Sequence, residues 1–301
     1  MIRIPNFALV GLAISVLTVI SASPTHAEDH EIRLTRPMKN GDKYWLMAKG
    51  ERVDLSVMTK EGQVVREDEL TIRIELQAIL EILEVDQAGR PLKEVLGIQY
   101  FVYGLGGELT DAMATGAKIY AETVGFKTVF SLAEGRLPAL AEAALDMVIS
   151  TYRGDVPDED LIFGTVKYQQ IGNSWPVNAE AFSYSMRSSG VEVNRETLEG
   201  GITLEGVEKL RDYECLRVNA RVKVGDFVMT DLPPGVEFLE GQAEIAVSGL
   251  FPTDLGLPKL QDTTSVKMKM VLKNNEGAMA GAVLESSSSR TGEKTLFPFL
   301  D

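Results

Sequence analysis

The 301-residue chain carries 44 acidic against 30 basic side chains, for a formal net charge of −14, and it has one cysteine and two histidines. A surface this acidic repels nucleic acid and anionic lipid headgroups, which argues against a phosphate-reading role. Cys215 is the only thiol, and of the two imidazoles His26 falls in a segment expected to be removed on export and His30 beside the new N-terminus, so a His-dependent triad, a Cys/His nucleophile pair or a His-built zinc site is not expected.

Met1-Ile2-Arg3 leads into an apolar run from Phe7 to Ile20, and small residues follow up to Thr25-His26-Ala27. That pattern predicts a secretory signal peptide over residues 1–27, cleaved after Ala27. The run is shorter than the roughly 20 residues a membrane helix needs. Losing Arg3 and no acidic residue would take the net charge to −15. The expected location is periplasmic or secreted, with no membrane span after cleavage. A single Cys in an oxidising compartment allows no intramolecular disulfide, so the core must hold the fold.

Residues 28–40 are polar and expected to be loose. Gly41-Asp42-Lys43-Tyr44-Trp45 leads into a strand, and weak alternation over Val53 to Val57 ends at the turn Lys60-Glu61-Gly62. The strongest signal lies in Leu70 to Val85. Leu70, Ile72, Ile74, Leu76, Ala78, Leu80 and Ile82 fall at every second position, whereas a helix would scatter them around its circumference. A turn at 86–91 and a second apolar run, Val95 to Tyr103, complete a long antiparallel hairpin. Gly104-Leu105-Gly106-Gly107 begins like a nucleotide loop, but Leu109 stands where the fingerprint requires Gly, so a turn is expected.

Two further strands, Ala117 to Thr123 and Lys127 to Ala133, precede a change of period. Leu137, Leu140, Ala141, Ala144, Leu145, Val148 and Tyr152 recur at helical spacing, with Pro138 suited to a first turn and Gly154 to a stop. The acid-rich run Asp155 to Asp160 lacks the EF-hand spacing and its glycine. A solvated helix start is the expectation there, with calcium left as an alternative.

Gly172-Asn173-Ser174-Trp175 repeats the pattern of Gly41 to Tyr44: Gly, Asp or Asn, any residue, aromatic. A second alternating hairpin follows, Gly201 to Lys209 with Tyr213 to Val224, and Cys215 within it reads as a buried, inert thiol. Gly241 to Gly249, Thr264 to Lys273 and Ala278 to Glu285 read as strands, with Ser286 to Ser289 preceding the tail. The expected fold is α+β, predominantly β. It has two similar halves of curved or half-barrel antiparallel sheet, residues 28–165 and 166–301, and one main amphipathic helix near 137–152.

The paired Gly-Asp-x-Tyr and Gly-Asp-x-Trp-like motifs, with a helix leading up to the second, resemble a group of uncharacterised secreted bacterial β-rich proteins. Gly41 to Tyr44 matches the first motif, and Asn173 replaces the Asp of the second. That resemblance covers nearly the whole mature chain and carries no catalytic residues. In architecture alone the layout is similar to the periplasmic lipoprotein carriers, whose antiparallel sheet folds over helices around an apolar cavity.

The expected function is therefore a non-catalytic envelope protein that binds a lipid or acyl chain between sheet and helix, with no metal or cofactor. The candidate lining residues are Ile74, Leu76, Leu140, Leu145, Val218, Val222, Met268 and Met270. The same residues suit a dry core. The competing expectation is a structural or protein-interaction module of the envelope, meeting a partner through strand edges or through Trp45 and Trp175.

Overall fold

The computed structural model describes residues 28–125, 127–152 and 156–299. The expected signal peptide and Asp155 lie outside the described residues.

Alternating segments become long strands. The first half contains β1 (Lys43–Lys60), β2 (Gln63–Val85), β3 (Pro91–Leu105), β4 (Glu108–Asp111), β5 (Lys118–Val124) and β6 (Lys127–Leu132). Two short helices follow, α1 (Ala139–Leu145) and α2 (Glu159–Phe163). The second half contains β7 (Ser174–Pro176), α3 (Ala179–Arg187), β8 (Val191–Val193), β9 (Leu198–Leu210), β10 (Tyr213–Val224), β11 (Phe227–Met229), β12 (Val236–Pro252), β13 (Gln261–Asn274) and β14 (Val283–Pro298). The protein is predominantly β, built on one antiparallel sheet in the order β6-β5-β3-β2-β1-β14-β13-β12-β10-β9-β7, with β4 on β3 and a separate β8–β11 ladder. The sheet is not a closed barrel, and β6 and β7 are its edges.

The two halves begin alike at the level of backbone hydrogen bonds. Gly41 and Gly172 adopt φ of 87° and 88°, a left-handed turn that glycine enters without a Cβ penalty. The Gly41 amide donates to the Ile82 carbonyl at 2.8 Å and the Asp42 carbonyl accepts from the Ile82 amide at 2.9 Å. In the second half Gly172 donates to Leu204 at 2.7 Å and Asn173 accepts from Leu204 at 3.1 Å. The shared motif is thus the turn that delivers β1 onto β2, and again β7 onto β9.

Each half is a meander, and the β1–β14 ladder joins them through register pairs such as Leu46↔Leu296 and Gly50↔Gly292. This arrangement leaves the end of β6 and the start of β7 on opposite edges of the sheet. The described residues between them, 133–152 and 156–173, therefore cross the face. They cross the face that carries the core, with α1 packed over β2 and β3.

Register explains where the crossing chain can lie. One row of aligned residues on this face runs Ile74, Gly50, Gly292, Thr264, Val247, Ala220, Ile202. Its ends are apolar and its middle is small or polar. The buried side chains accordingly form two main clusters. One gathers Leu46, Ile74, Leu76, Leu96, Ile98, Phe101, Ile119 and Leu145. The other gathers Leu34, Trp175, Phe182, Ile202, Leu204, Val218, Val222 and Phe227. Between them the chain passes over the paired glycines. A Cβ at Gly50 would sit 3.0 Å from Val148 Cγ1, and one at Gly292 would sit 3.0 Å from the Met147 carbonyl oxygen.

Four expectations are corrected. The helix near 137–152 is only Ala139–Leu145, with no side-chain cap at Pro138. Past Leu145 the Val148 and Ile149 amides both return to the Leu145 carbonyl in a turn. A continuing helix, about 10 Å across with its side chains, would hold its backbone too far from the sheet for the Met147 contact. Residues 28–40 are not loose: Ile32, Leu34 and Arg36 are buried, and the His30 amide donates to the Gln169 carbonyl at 2.8 Å. The serine run lies inside β14, where the Ser288 hydroxyl donates to Asp54 at 2.6 Å. Helix α3, capped by the Asn178 side chain, went unanticipated.

Two stability effects follow from this packing. Leu76→Ala empties a fully buried position and is expected to cost about 2–5 kcal/mol. Gly292→Val drives two methyl groups against a backbone carbonyl and is expected to cost about 1–3 kcal/mol. Urea denaturation of both variants checks this, and wild-type stability for Gly292→Val would remove the crossing segment from its seat.

Candidate functional site

The eight sequence candidates do not meet. Ile74, Leu76 and Leu145 are buried in the first cluster, and Leu140 packs against it. Val218 and Val222 belong to the second cluster, with Met268 at its margin. Met270 borders a shallow groove of about 350 Å³ with Leu55, Val57 and Val271. The cavity expected between Leu76 and Val222 is filled by the two clusters and by the segment crossing between them.

A cleft opens instead beside that segment. Its volume is about 390 Å³, within the usual range of about 300–1,000 Å³ for ligand sites. Leu34, Arg36 and Met38 reach it from the N-terminal stretch, Arg90 and Pro91 from the β2–β3 turn, and Ser150 to Tyr152 from the crossing segment. Val156 to Glu159, Ser185 of α3, Lys259, and Lys294 with Leu296 on β14 complete it. A recess of about 220 Å³ lies under the crossing segment and shares Ser150 and Lys294 with the cleft. Another cavity of about 390 Å³, outside α2, gathers fewer cations, Arg33 and Lys167.

Four cationic side chains line the cleft of this acidic protein, in two electrostatic states. Arg90 is neutralised: it pairs with Asp86 at 2.6 Å, lies 3.6 Å from Asp158, and stacks 3.5 Å above the Tyr152 ring. Lys259 is neutralised too, by Glu159 at 2.8 Å and Asp262 at 3.3 Å. Burial alone would push its ammonium down, yet Asp262 and Glu159 together hold it above its ordinary range. Arg36 differs. It is 6% exposed and donates only to the Pro252 and Asp254 carbonyls, at 2.9 and 3.3 Å, leaving its Nε without a partner. Burial pushes its guanidinium down. Lys294 has no hydrogen-bond or ion-pair partner among the described residues.

The acid-rich run is not simply solvated. Asp158 caps α2 by accepting from the Leu161 amide, Glu159 holds Lys259, and Asp160 accepts from the Leu34 amide at 2.7 Å. These carboxylates tie the N-terminal stretch and the β12–β13 connection to the crossing segment. Among the described residues no group of three or more His, Cys, Asp or Glu could hold a metal.

Sequence reasoning missed Arg36, Arg90, Lys259 and Lys294. Arg36 continues the period-two burial of His30, Ile32 and Leu34, a signal that was available. Lys294 shares a face with Leu296 and Gly292, legible only once β14 is known to be a strand.

Glu94, on β3, is buried against Ile82 and Ala121. Burial pushes its carboxyl from 4.5 up to about 7, and the charge of Lys294 opposes that rise. The proton is held more tightly in the folded chain. Stability is therefore highest below pH 4.5 as far as this group is concerned, and it falls as pH climbs towards 7, by about 3 kcal/mol in total. Glu94→Gln should remove that fall: urea midpoints at pH 5 and pH 8 converge in the variant relative to wild type. Identical pH dependence in the two proteins would show that Glu94 is already paired when ionised.

No protein-family model matches the chain, and no curated protein matches it. Among solved structures it is similar to the outer membrane protein OprG from Pseudomonas aeruginosa, at 8% identity over 87% of this chain and 99% of that one, with a TM-score of 0.21. A DUF1329 family protein from Desulfovibrio piger matches at 9% identity over 80% and 83%, with a TM-score of 0.12. An outer membrane channel from Pseudomonas putida matches at 9% identity over 87% and 97%, with a TM-score of 0.19. At these scores none of them assigns a fold family or a role.

Proposed function

We propose that the chain is an exported, non-catalytic envelope protein that binds an acyl chain or similar apolar ligand in the cleft beside the crossing segment. The observation that carries this reading is convergence: Leu34, Met38, Pro91, Val156, Pro157 and Leu296 bring apolar surface from both halves and from the crossing chain to one open cavity. The sequence of residues 1–27 supports export. A non-catalytic role is supported by the state of the reactive groups. Cys215 is buried with its thiol pushed up by that burial, and His30 is buried at the opposite end of the N-terminal stretch from Arg36.

A structural or interaction module is the second reading, favoured by the free portion of the sheet. Beyond Arg52 and Thr71 the β1–β2 hairpin loses its core, and Leu55, Val64, Val65 and Leu70 stand exposed.

The two readings separate on one preparation. Residues 28–301 purified from a bacterial periplasm and extracted with organic solvent should release a stoichiometric lipid, seen by mass spectrometry. A ligand-free protein that also takes up no added fatty acid would replace the first reading with the second.

A further inference from the structure

We infer that the ligand of this cleft carries a carboxylate head, received by Lys294 and Arg36, while its chain lies on Leu34, Met38 and Leu296; this rests on the binding function proposed above. The argument begins with charge that is left over. Arg90 and Lys259 each touch two carboxylates, so the cleft has the means to neutralise its cations. Two others line the same cavity with none in contact. The surplus of acidic side chains makes an unpaired cation unusual here.

Burial sharpens the point. A guanidinium out of water costs several kcal/mol unless its donors are met. Arg36 gives one bond from each Nη to a carbonyl oxygen and none from Nε; Asp160 and Asp254 act on it through space, but no carboxylate touches it. A planar carboxylate supplies both the acceptor and the charge. Lys294 stands where cleft and recess meet, acting on Glu94 through space but touching no carboxylate, so its ammonium can meet the second oxygen. Apolar side chains on the cleft wall account for the other end of the molecule, so the chemistry described is that of a fatty acid.

The test uses residues 28–301, stripped of lipid, in calorimetric titrations with dodecanoate and with dodecanol. Dodecanoate should bind about tenfold or more tightly than dodecanol, the range expected for hydrogen bonds to a charged group. Lys294→Gln, whose loss of a charge acting on buried Glu94 is checked by a urea midpoint against wild type, should weaken dodecanoate about tenfold and leave dodecanol unchanged. Lys269→Gln, on the other face of β13, should change neither. Equal affinity for acid and alcohol, unmoved by Lys294→Gln, would overturn the carboxylate assignment and leave an apolar-ligand protein standing. Binding of neither compound would overturn the function itself.

Discussion

The structure depends on a close contact between a crossing chain and two paired glycines. Each half is a meander, and the halves meet through β1 and β14, so the single link from β6 to β7 has to traverse the core face. A Cβ at Gly50 or Gly292 would press on Val148 or on the Met147 carbonyl at 3.0 Å, so a side chain there would crowd the link. The glycines lower it until Met147 and Val148 touch the strands. Arg290 then meets Asp146, and the Thr151 amide donates to the Thr128 hydroxyl at 3.0 Å, fixing the link on both sides of its crossing.

The rest of the site is a consequence of that seating. A link held in the middle of the face divides the apolar residues into two main clusters and leaves a polar strip between them, with Asp262, Thr264, Arg290 and Lys294 along it. The N-terminal stretch closes over the far end of the link through Asp160 and Leu34, carrying Arg36 inward. The cleft is the space that remains where these pieces converge. Its cations belong to four separate parts of the chain, so no local motif announces them.

Much of the sheet was legible because one physical rule writes it plainly. Alternation over Leu70 to Val85 and Leu216 to Val224 reports a strand with one buried face, and both were placed correctly. The Gly41 and Gly172 motifs were legible as a repeat, and their matching backbone bonds give that repeat a cause. Where sequence reasoning failed, tertiary context had overruled a local signal. The helical spacing continued from Leu137 to Tyr152, yet the approach to Gly292 unwound its second half. The strand was expected to end at Glu285, before the four serines, but β14 runs through them, and on its inner face Ser288 finds Asp54. Of the eight apolar candidates, seven lie in or against the two clusters and Met270 borders a surface groove. A one-dimensional pattern cannot say whether inward residues face a void or a packed neighbour, and those in the two clusters face packed neighbours.

The central claim is that an amphiphile occupies the cleft beside the crossing link. A crystal structure of residues 28–301 grown with dodecanoate addresses it most directly. The account predicts continuous density along Leu34, Met38 and Leu296 with the carboxylate at Lys294. A cleft free of ligand, with dodecanoate bound instead along the exposed β1–β2 hairpin, would contradict it.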